Sequence, residues 1–274
     1  MHMDLGAKKS LGQNFLKSRK AISDMIAASQ ISRDDVVIEI GPGKGALTLP
    51  LLETGATVIA FELDGRMVEF LQEKFSHHIT SGQLILVHQD VLEVNLQKYT
   101  LGKPYKLVAN IPYYITNLII RTFLSGAYQP TTMCLLVQKE VAERIVSRDG
   151  KESILSLSVK LFGTPKYIAK VAKHYFSPVP KIDSAIILIS DISRSALPDN
   201  EYETIFFTII KTAFGQKRKQ AIKNLSLLEN KDIWIAIFES LNINIHARAE
   251  DINFESWMNI VHHYRKNTIN STTD

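Results

Sequence analysis

Cysteine is nearly absent: the chain of 274 residues holds one, Cys134. A lone thiol cannot close an intramolecular disulfide and no Cys/His spacing suggests zinc, so neither a disulfide framework nor a resident metal is expected. Also missing are a signal peptide and any apolar stretch near the ~20 residues that span a bilayer, which argues against membrane contact and for the cytoplasm. No internal repeat or low-complexity tract occurs, which excludes a solenoid or a disordered array. Charge of one sign is hardly in excess: 32 basic residues against 28 acidic ones leave a formal +4. That balance by itself identifies no partner.

Apolar residues, by contrast, make up 45% of the chain, enough to bury a substantial core. The expected organisation is one large domain, residues 1–190 with a basic N-terminal arm, and a small helical domain, residues 191–274. The break falls in the polar, turn-rich segment 191–200. Beyond it apolar residues recur at helical spacing, at Tyr202, Ile205, Phe206, Ile209 and Ile210 and again around Trp234 and Trp257, the pattern of a small helical core. Residues 267–274 are polar and expected to fray. Basic residues cluster without an intervening acid at Lys8, Lys9, Lys17, Arg19 and Lys20, and at Lys211, Lys217, Arg218, Lys219 and Lys223. Such clusters suit phosphate neutralisation.

The large domain reads as alternating strands and helices. Apolar runs at 36–38, 57–61, 84–89 and 106–109, and the run 133–137 around Cys134, read as buried strands. Residues 19–29, 116–124, 139–146 and 154–162 read as helices, and 167–172 with 185–190 as a closing pair of strands. The expected fold class is α/β, a doubly wound, mostly parallel sheet with an antiparallel end.

Polar groups gather at the ends of those strands. Glu39-Ile40-Gly41-Pro42-Gly43-Lys44-Gly45 closes the first run and opens an apparent helix at 46–52; its glycines allow close backbone approach to a nucleotide-type ligand. Glu62 ends the second strand, about 20 residues on, where a ribose hydroxyl pair is usually held. Asp90 ends the third and could accept from an adenine amino group. With Asn110 after the fourth, these groups occupy the edge where open α/β sheets bind ligands.

Asn110-Ile111-Pro112-Tyr113 adds a chemical signature. An adenine exocyclic amine is a poor nucleophile because its lone pair is delocalised into the ring. An asparagine oxygen and a neighbouring carbonyl can accept both amino hydrogens while an aromatic ring stacks on the base, and Pro112 removes a competing backbone donor. Alone, the tetrapeptide is also compatible with an ordinary turn. Behind the glycine cluster it points to a site that grips, and can methylate, an unstacked adenine. Phe176, ahead of Ser177-Pro178-Val179-Pro180, is expected to return over Asn110, so that the base lies between Tyr113 and Phe176 and stacking offsets its extraction.

The strand-end pattern is similar to that of class I methyltransferases, which use S-adenosylmethionine. More specifically, the chain resembles the ribosomal RNA adenine dimethyltransferase family, in its KsgA-type small-subunit branch. Five stretches carry the likeness in family order: Lys9 to Leu16, Glu39 to Gly45, Asn110 to Tyr114, Phe176 to Ser184, and Ala213 to Lys219. The resemblance implies that Asn14, Leu16, Gly41, Glu62, Asp90 and Asn110 contact S-adenosylmethionine, with Gly43 in the same glycine turn. It implies that Asn110, Tyr113 and Phe176 handle the target adenine, and that two adjacent adenosines near the 3′ end of small-subunit (16S) rRNA are each methylated twice during ribosome biogenesis. Lys217, Arg218 and Lys219 are the expected RNA contacts, free rRNA or a partly assembled small subunit the expected partner, and a monomer the expected state.

Other readings stay open. Erm-type enzymes, which methylate large-subunit RNA, share the glycine and Asn-Ile-Pro-Tyr motifs; Pro180-Lys181-Ile182-Asp183-Ser184 and the basic run favour the small-subunit type. A dehydrogenase is disfavoured by Gly-x-Gly-x-Gly spacing. A ribosome-assembly factor in which methylation is dispensable would carry the same basic surfaces. Tyr114, and Gln220-Ala221-Ile222 after the basic run, depart from the common small-subunit pattern.

Overall fold

The computed structural model describes residues 6–271. The chain forms two compact units, Met1–Ala142 with Gly163–Ser193, and Glu143–Phe162 with Arg194–Asp274.

The first unit is built on a seven-stranded sheet. Its strands are β2 (Val36–Ile40), β3 (Thr57–Phe61), β4 (Leu84–Val87), β5 (Tyr105–Asn110), β6 (Thr132–Gln138), β7 (Thr164–Val171) and β9 (Ser184–Ser190). They lie in the order β4-β3-β2-β5-β6-β9-β7. The five strands from β4 to β6 run parallel, and β9 and β7 close the sheet antiparallel. Every residue of β2 is buried, as strands covered on both faces require. Two short strands, β1 (Phe15–Leu16) and β8 (Phe176–Ser177), pair antiparallel outside the main sheet.

Helices of this unit are α1 (Arg19–Ser29), α2 (Thr48–Glu53), α3 (Gly65–Lys74), α4 (Ser76–Thr80), α5 (Leu96–Thr100) and α6 (Thr116–Ser125); α7 (Lys139–Ile145) begins in it. Ser18 caps α1 by accepting from the Ala21 N–H, and the buried Ala21, Ile22 and Met25 face the core. The helix after the glycines starts at Thr48 instead of 46, because residues 43–47 are spent on the turn. Pro50 then falls in the first helical turn, where its missing N–H leaves no bond unmade.

The second unit is helical: α8 (Ile154–Phe162), α9 (Asn200–Ala213), α10 (Ala221–Leu225), α11 (Lys231–Ser240) and α12 (Phe254–Ser271). Tyr202, Phe206, Trp234, Phe238 and Trp257 are buried, and Trp234 stacks on Tyr264 with ring centroids 4.8 Å apart. These aromatics are core. Residues 143–162, which precede the sequence boundary at 190, join this unit through a buried polar cluster. Glu152 accepts from the Ser147 and Ser156 hydroxyls, both at 2.7 Å, and pairs with Lys160, while its N–H donates to the Glu250 carbonyl at 2.8 Å. The backbone expected to fray at 267–274 is helical through Ser271; residues 1–5 of the arm and 272–274 lie outside the described residues.

Candidate active site

Sheet register brings the strand-end residues together. Ile40 is level with Phe61 of β3 and Ala109 of β5, and Phe61 with Val87 of β4. The next residues, Gly41, Glu62 and Asn110, therefore emerge side by side at the carboxyl edge. They flank the point between β2 and β5 where strand order reverses. The ladder runs one step past the strands, with the Gly41 N–H donating to Phe61 O at 2.9 Å and the Glu62 N–H to Val87 O at 3.0 Å.

A cavity of about 570 Å³ opens at this edge, within the range of small-molecule sites. Its wall includes Asn14, Leu16, Gly41, Gly43, Glu62 and Asp90, together with Asn110 and Tyr113. Gly41 has φ +65°, and a Cβ built there would meet nothing within 4 Å, so the cavity reaches bare backbone. Gly43, at φ +54°, is a different case: a Cβ would press on the Phe15 ring at 3.0 Å, so this glycine serves the packing of the arm against the turn.

Glu62 is buried, and its carboxylate accepts from the N–H groups of Gly43 at 3.0 Å and of Leu63 and Asp64 at 2.9 Å. Burial outweighs these donors and raises its pKa, with Asp64 adding to the effect. Asp90 accepts from the Leu92 N–H through one oxygen, at 2.9 Å. Glu39, at the inner wall, is fully buried; its Oε2 and the Thr48 hydroxyl have no partner among the described residues. Burial, reinforced by the Glu62 charge and opposed by the neighbouring Thr48 hydroxyl, pushes the Glu39 carboxyl up to about 8. Acceptors at the tips of adjacent strands, a bare glycine turn and an unpartnered buried carboxyl suit an adenosine-bearing ligand, whose ribose and amino groups donate.

Asn110 Nδ2 donates to the Asn14 carbonyl at 3.0 Å. That bond orients the amide and leaves Oδ1 without a donor among the described residues. The Ile111 carbonyl likewise accepts no bond among the described residues. Pro112, at φ −56° and ψ 133°, turns the chain into the short 3₁₀ segment Tyr113–Ile115. The Tyr113 hydroxyl is 2.7 Å from Ser184 Oγ on β9, and burial raises its pKa.

Two contributors escape sequence reasoning because they act across the fold. Ser184, fully buried, anchors Tyr113 from 71 residues away. Asp64 receives Lys8 Nζ at 3.0 Å, Gln13 Nε2 at 3.2 Å and the Arg66 guanidinium at 2.6 Å, and so clasps the arm to the tip of β3. The guanidinium, with Lys8 and Gln13, holds the Asp64 carboxyl well below the usual carboxylate range. Lys8 is thus neutralised at home, and Lys20 pairs with Asp24 at 2.9 Å. Lys8, Lys17, Arg19 and Lys20 are all exposed, and of these Lys17 and Arg19 enter no ion pair among the described residues.

Phe176 lies outside the cavity. It is 1% exposed, lies opposite Leu16 in the β1–β8 pair and belongs to the core cluster with Val171 and Ile186. Pairing with the arm turns the Phe176 ring inward, so it does not face Tyr113 across the cavity, and Ser177 lines the wall in its place. In the second unit, Lys217, Arg218 and Lys219 are all exposed on the turn between α9 and α10, and none enters an ion pair among the described residues.

Comparison with known proteins agrees with this geometry. The chain is 38% identical to "Ribosomal RNA small subunit methyltransferase A" of Dehalococcoides mccartyi (strain CBDB1), over 96% of this chain and 90% of that protein. It is 37% identical to the protein of the same name in Fusobacterium nucleatum, over 94% and 98% of the two chains. Among solved structures it is similar to the 23S rRNA methyltransferase ErmE, with TM-score 0.77 and 25% identity over 91% of this chain and 99% of that one. A dimethyladenosine transferase from Plasmodium falciparum shares the fold, with TM-score 0.77 at 24% identity over 93% and 98%. Residues 5–266 match the family described as ribosomal RNA adenine dimethylase. The chain therefore belongs to the ribosomal RNA adenine dimethylase family.

Proposed function

We infer that this protein transfers methyl groups from S-adenosylmethionine to the N6 amine of adenosines in small-subunit ribosomal RNA, two per base. The observation that carries the reading is Asn110: its amide nitrogen is tied to the Asn14 carbonyl, so its oxygen is the acceptor offered in the cavity.

Glu62, held by the Gly43 N–H, would hold the ribose hydroxyls of the methyl donor, Asp90 its adenine amine, and Gly41 would let it lie against the backbone, between Asn14 and Leu16 of the arm and the sheet edge. When bound, S-adenosylmethionine supplies an electrophilic methyl group. Asn110 Oδ1 and the Ile111 carbonyl accept the hydrogens of the target amine, which favours a tetrahedral nitrogen with its lone pair free. Tyr113 stacks on the base, and the Ser184 bond holds its ring in place. Orientation of this kind can supply a large part of the barrier reduction. No side chain need act as base, since the methylated amine can release its proton to water.

Phe176 acts at a distance, by seating the strand that packs the arm. Lys217, Arg218 and Lys219 neutralise RNA phosphates. The partner is rRNA, free or in a partly assembled small subunit. The protein works as a monomer, since one copy supplies every group in the scheme, and in the cytoplasm, with its RNA.

The test is to incubate the purified protein with labelled S-adenosylmethionine and, separately, small-subunit rRNA, large-subunit rRNA and immature small subunits, and to map dimethyladenosine. Label confined to small-subunit RNA is expected. Label confined to large-subunit RNA would assign the Erm-type reaction, and stable binding to subunits without label would leave an assembly factor.

A further inference from the structure

We propose that Tyr114 is a stacking platform for the nucleotide next to the target adenosine, and so helps decide which adenosines are methylated. The inference rests on the RNA-methylating reading above.

Tyr114 is 65% exposed, the highest value among the exposed aromatic residues of the sheet unit; Tyr175, the other, is 43% exposed and does not line the cavity. The Tyr114 ring lines the same cavity as Asn110 and Tyr113. Its hydroxyl forms no hydrogen bond among the described residues, so no polar contact explains its position. The ring is nevertheless braced. A Cβ built on Gly12 would stand 3.1 Å from both Tyr114 Cδ1 and Cε1, so one edge of the ring rests on the glycine backbone. Gly12 is held in turn within the arm that Asp64 clasps, and accepts the Asn14 side-chain amide at 3.2 Å.

Local geometry separates two neighbouring rings. Residues Tyr113–Ile115 form a single 3₁₀ turn, in which successive side chains diverge by about a third of a revolution. Tyr113 is tied inward by its bond to Ser184, and Tyr114 is thereby turned outward. Leu118, 49% exposed and also on the cavity wall, extends the apolar rim one helical turn further. Two exposed cations, Lys17 and Lys44, line the same cavity. An apolar ring beside exposed ammonium groups fits a nucleic-acid strand, whose bases stack and whose phosphates need neutralising, better than an apolar peptide.

The test is a cycle between protein and RNA. Small-subunit rRNA is assembled by ligation so that the nucleotide on either side of the methylated adenosine carries its base or is abasic, and single-turnover transfer is measured with wild type, Tyr114→Phe and Tyr114→Leu. On intact RNA, Tyr114→Leu should lose roughly tenfold in kcat/KM, within the range of one base–aromatic stack. Tyr114→Phe should stay within about twofold, since it keeps the ring face. Removing one neighbouring base should cost the wild type a similar factor and Tyr114→Leu almost nothing. S-adenosylmethionine affinity, measured by calorimetry, should be the same in all three. Equal losses for wild type and Tyr114→Leu on abasic RNA would overturn the inference while leaving the methylation reading intact. A wild-type protein that transfers no methyl to any RNA would overturn both.

Discussion

The cavity at the sheet edge and the basic turn of the helical unit solve opposite problems. In the cavity the polar groups are already held: Asn110 by the Asn14 carbonyl, Glu62 by three backbone N–H groups, Asp90 by Leu92 and Tyr113 by Ser184. At the turn the reverse applies, for Lys217, Arg218 and Lys219 are exposed and unpaired among the described residues. What is held there is the backbone: the buried Asn224 amide donates to Ala213 O at 2.7 Å and Gln216 O at 3.2 Å. The difference follows from range. Aligning an amine for transfer tolerates errors well under about 1 Å. Screened attraction to phosphate persists over ~8–10 Å, so a cation needs an address and not an orientation.

The contrast is broken hardest at Asn110. Asn110→Ala should lower single-turnover methyl transfer by about a hundredfold or more at saturating RNA and cofactor, because the group that positions the amine is gone, while RNA affinity barely changes. A folded variant that transfers at close to the wild-type rate would refute the mechanism. The complementary change is Lys217, Arg218 and Lys219 to glutamine. RNA binding should weaken, with the log–log salt dependence flattened by up to about three units, and cofactor affinity should persist. An unaltered salt slope would remove this turn from the RNA contact.

Glu62 sharpens the comparison because it serves both ligand and fold. Glu62→Ala should weaken S-adenosylmethionine binding about tenfold or more through lost charge-assisted hydrogen bonds. It should also lower the thermal midpoint, since three backbone donors lose their acceptor. Unchanged cofactor affinity in calorimetry on folded protein would take Glu62 out of the ribose site.

A last prediction concerns Glu39 and is read in stability instead of activity. Its carboxyl is raised by burial to about 8 in the fold, above the 4.5 of an ordinary glutamate, so the folded state holds a proton that the unfolded chain releases between those values. Its contribution to stability is present in full below about 4.5 and is lost as pH rises toward 8, by at most ~1.4 kcal/mol per pH unit. Denaturant titrations across that window should show a steeper fall for wild type than for Glu39→Gln. Parallel curves would mean that Glu39 is ionised in the fold.

Much of the site is legible in residue order alone. Short apolar runs bounded by glycine and acid mark the parallel strands, and periodicity places the helices at 19–29 and 154–162 to the residue. Because these strands run parallel, the polar residue after each run has to emerge at one edge. Glu62, Asp90 and Asn110 accordingly meet there, with the glycine turn beside them. The helical unit's aromatics announce a core through their spacing alone.

Local pattern says nothing about partners far along the chain, and there legibility ends. The prolines after Phe176 suggest a ring at the cavity wall, yet pairing of Leu16 with Phe176, across 160 residues, turns it into the core. Lys8 has the local surroundings of a phosphate ligand, but Asp64 claims it. Ser184 carries no signal as the anchor of Tyr113, and Gly12 none as the seat of Tyr114. Sequence by itself determined the fold class and the strand-end row of polar groups, because periodicity and residue type encode them. Tertiary structure alone decided which charges remain free and which rings line the cavity, because those depend on long-range pairings whose register no local pattern contains.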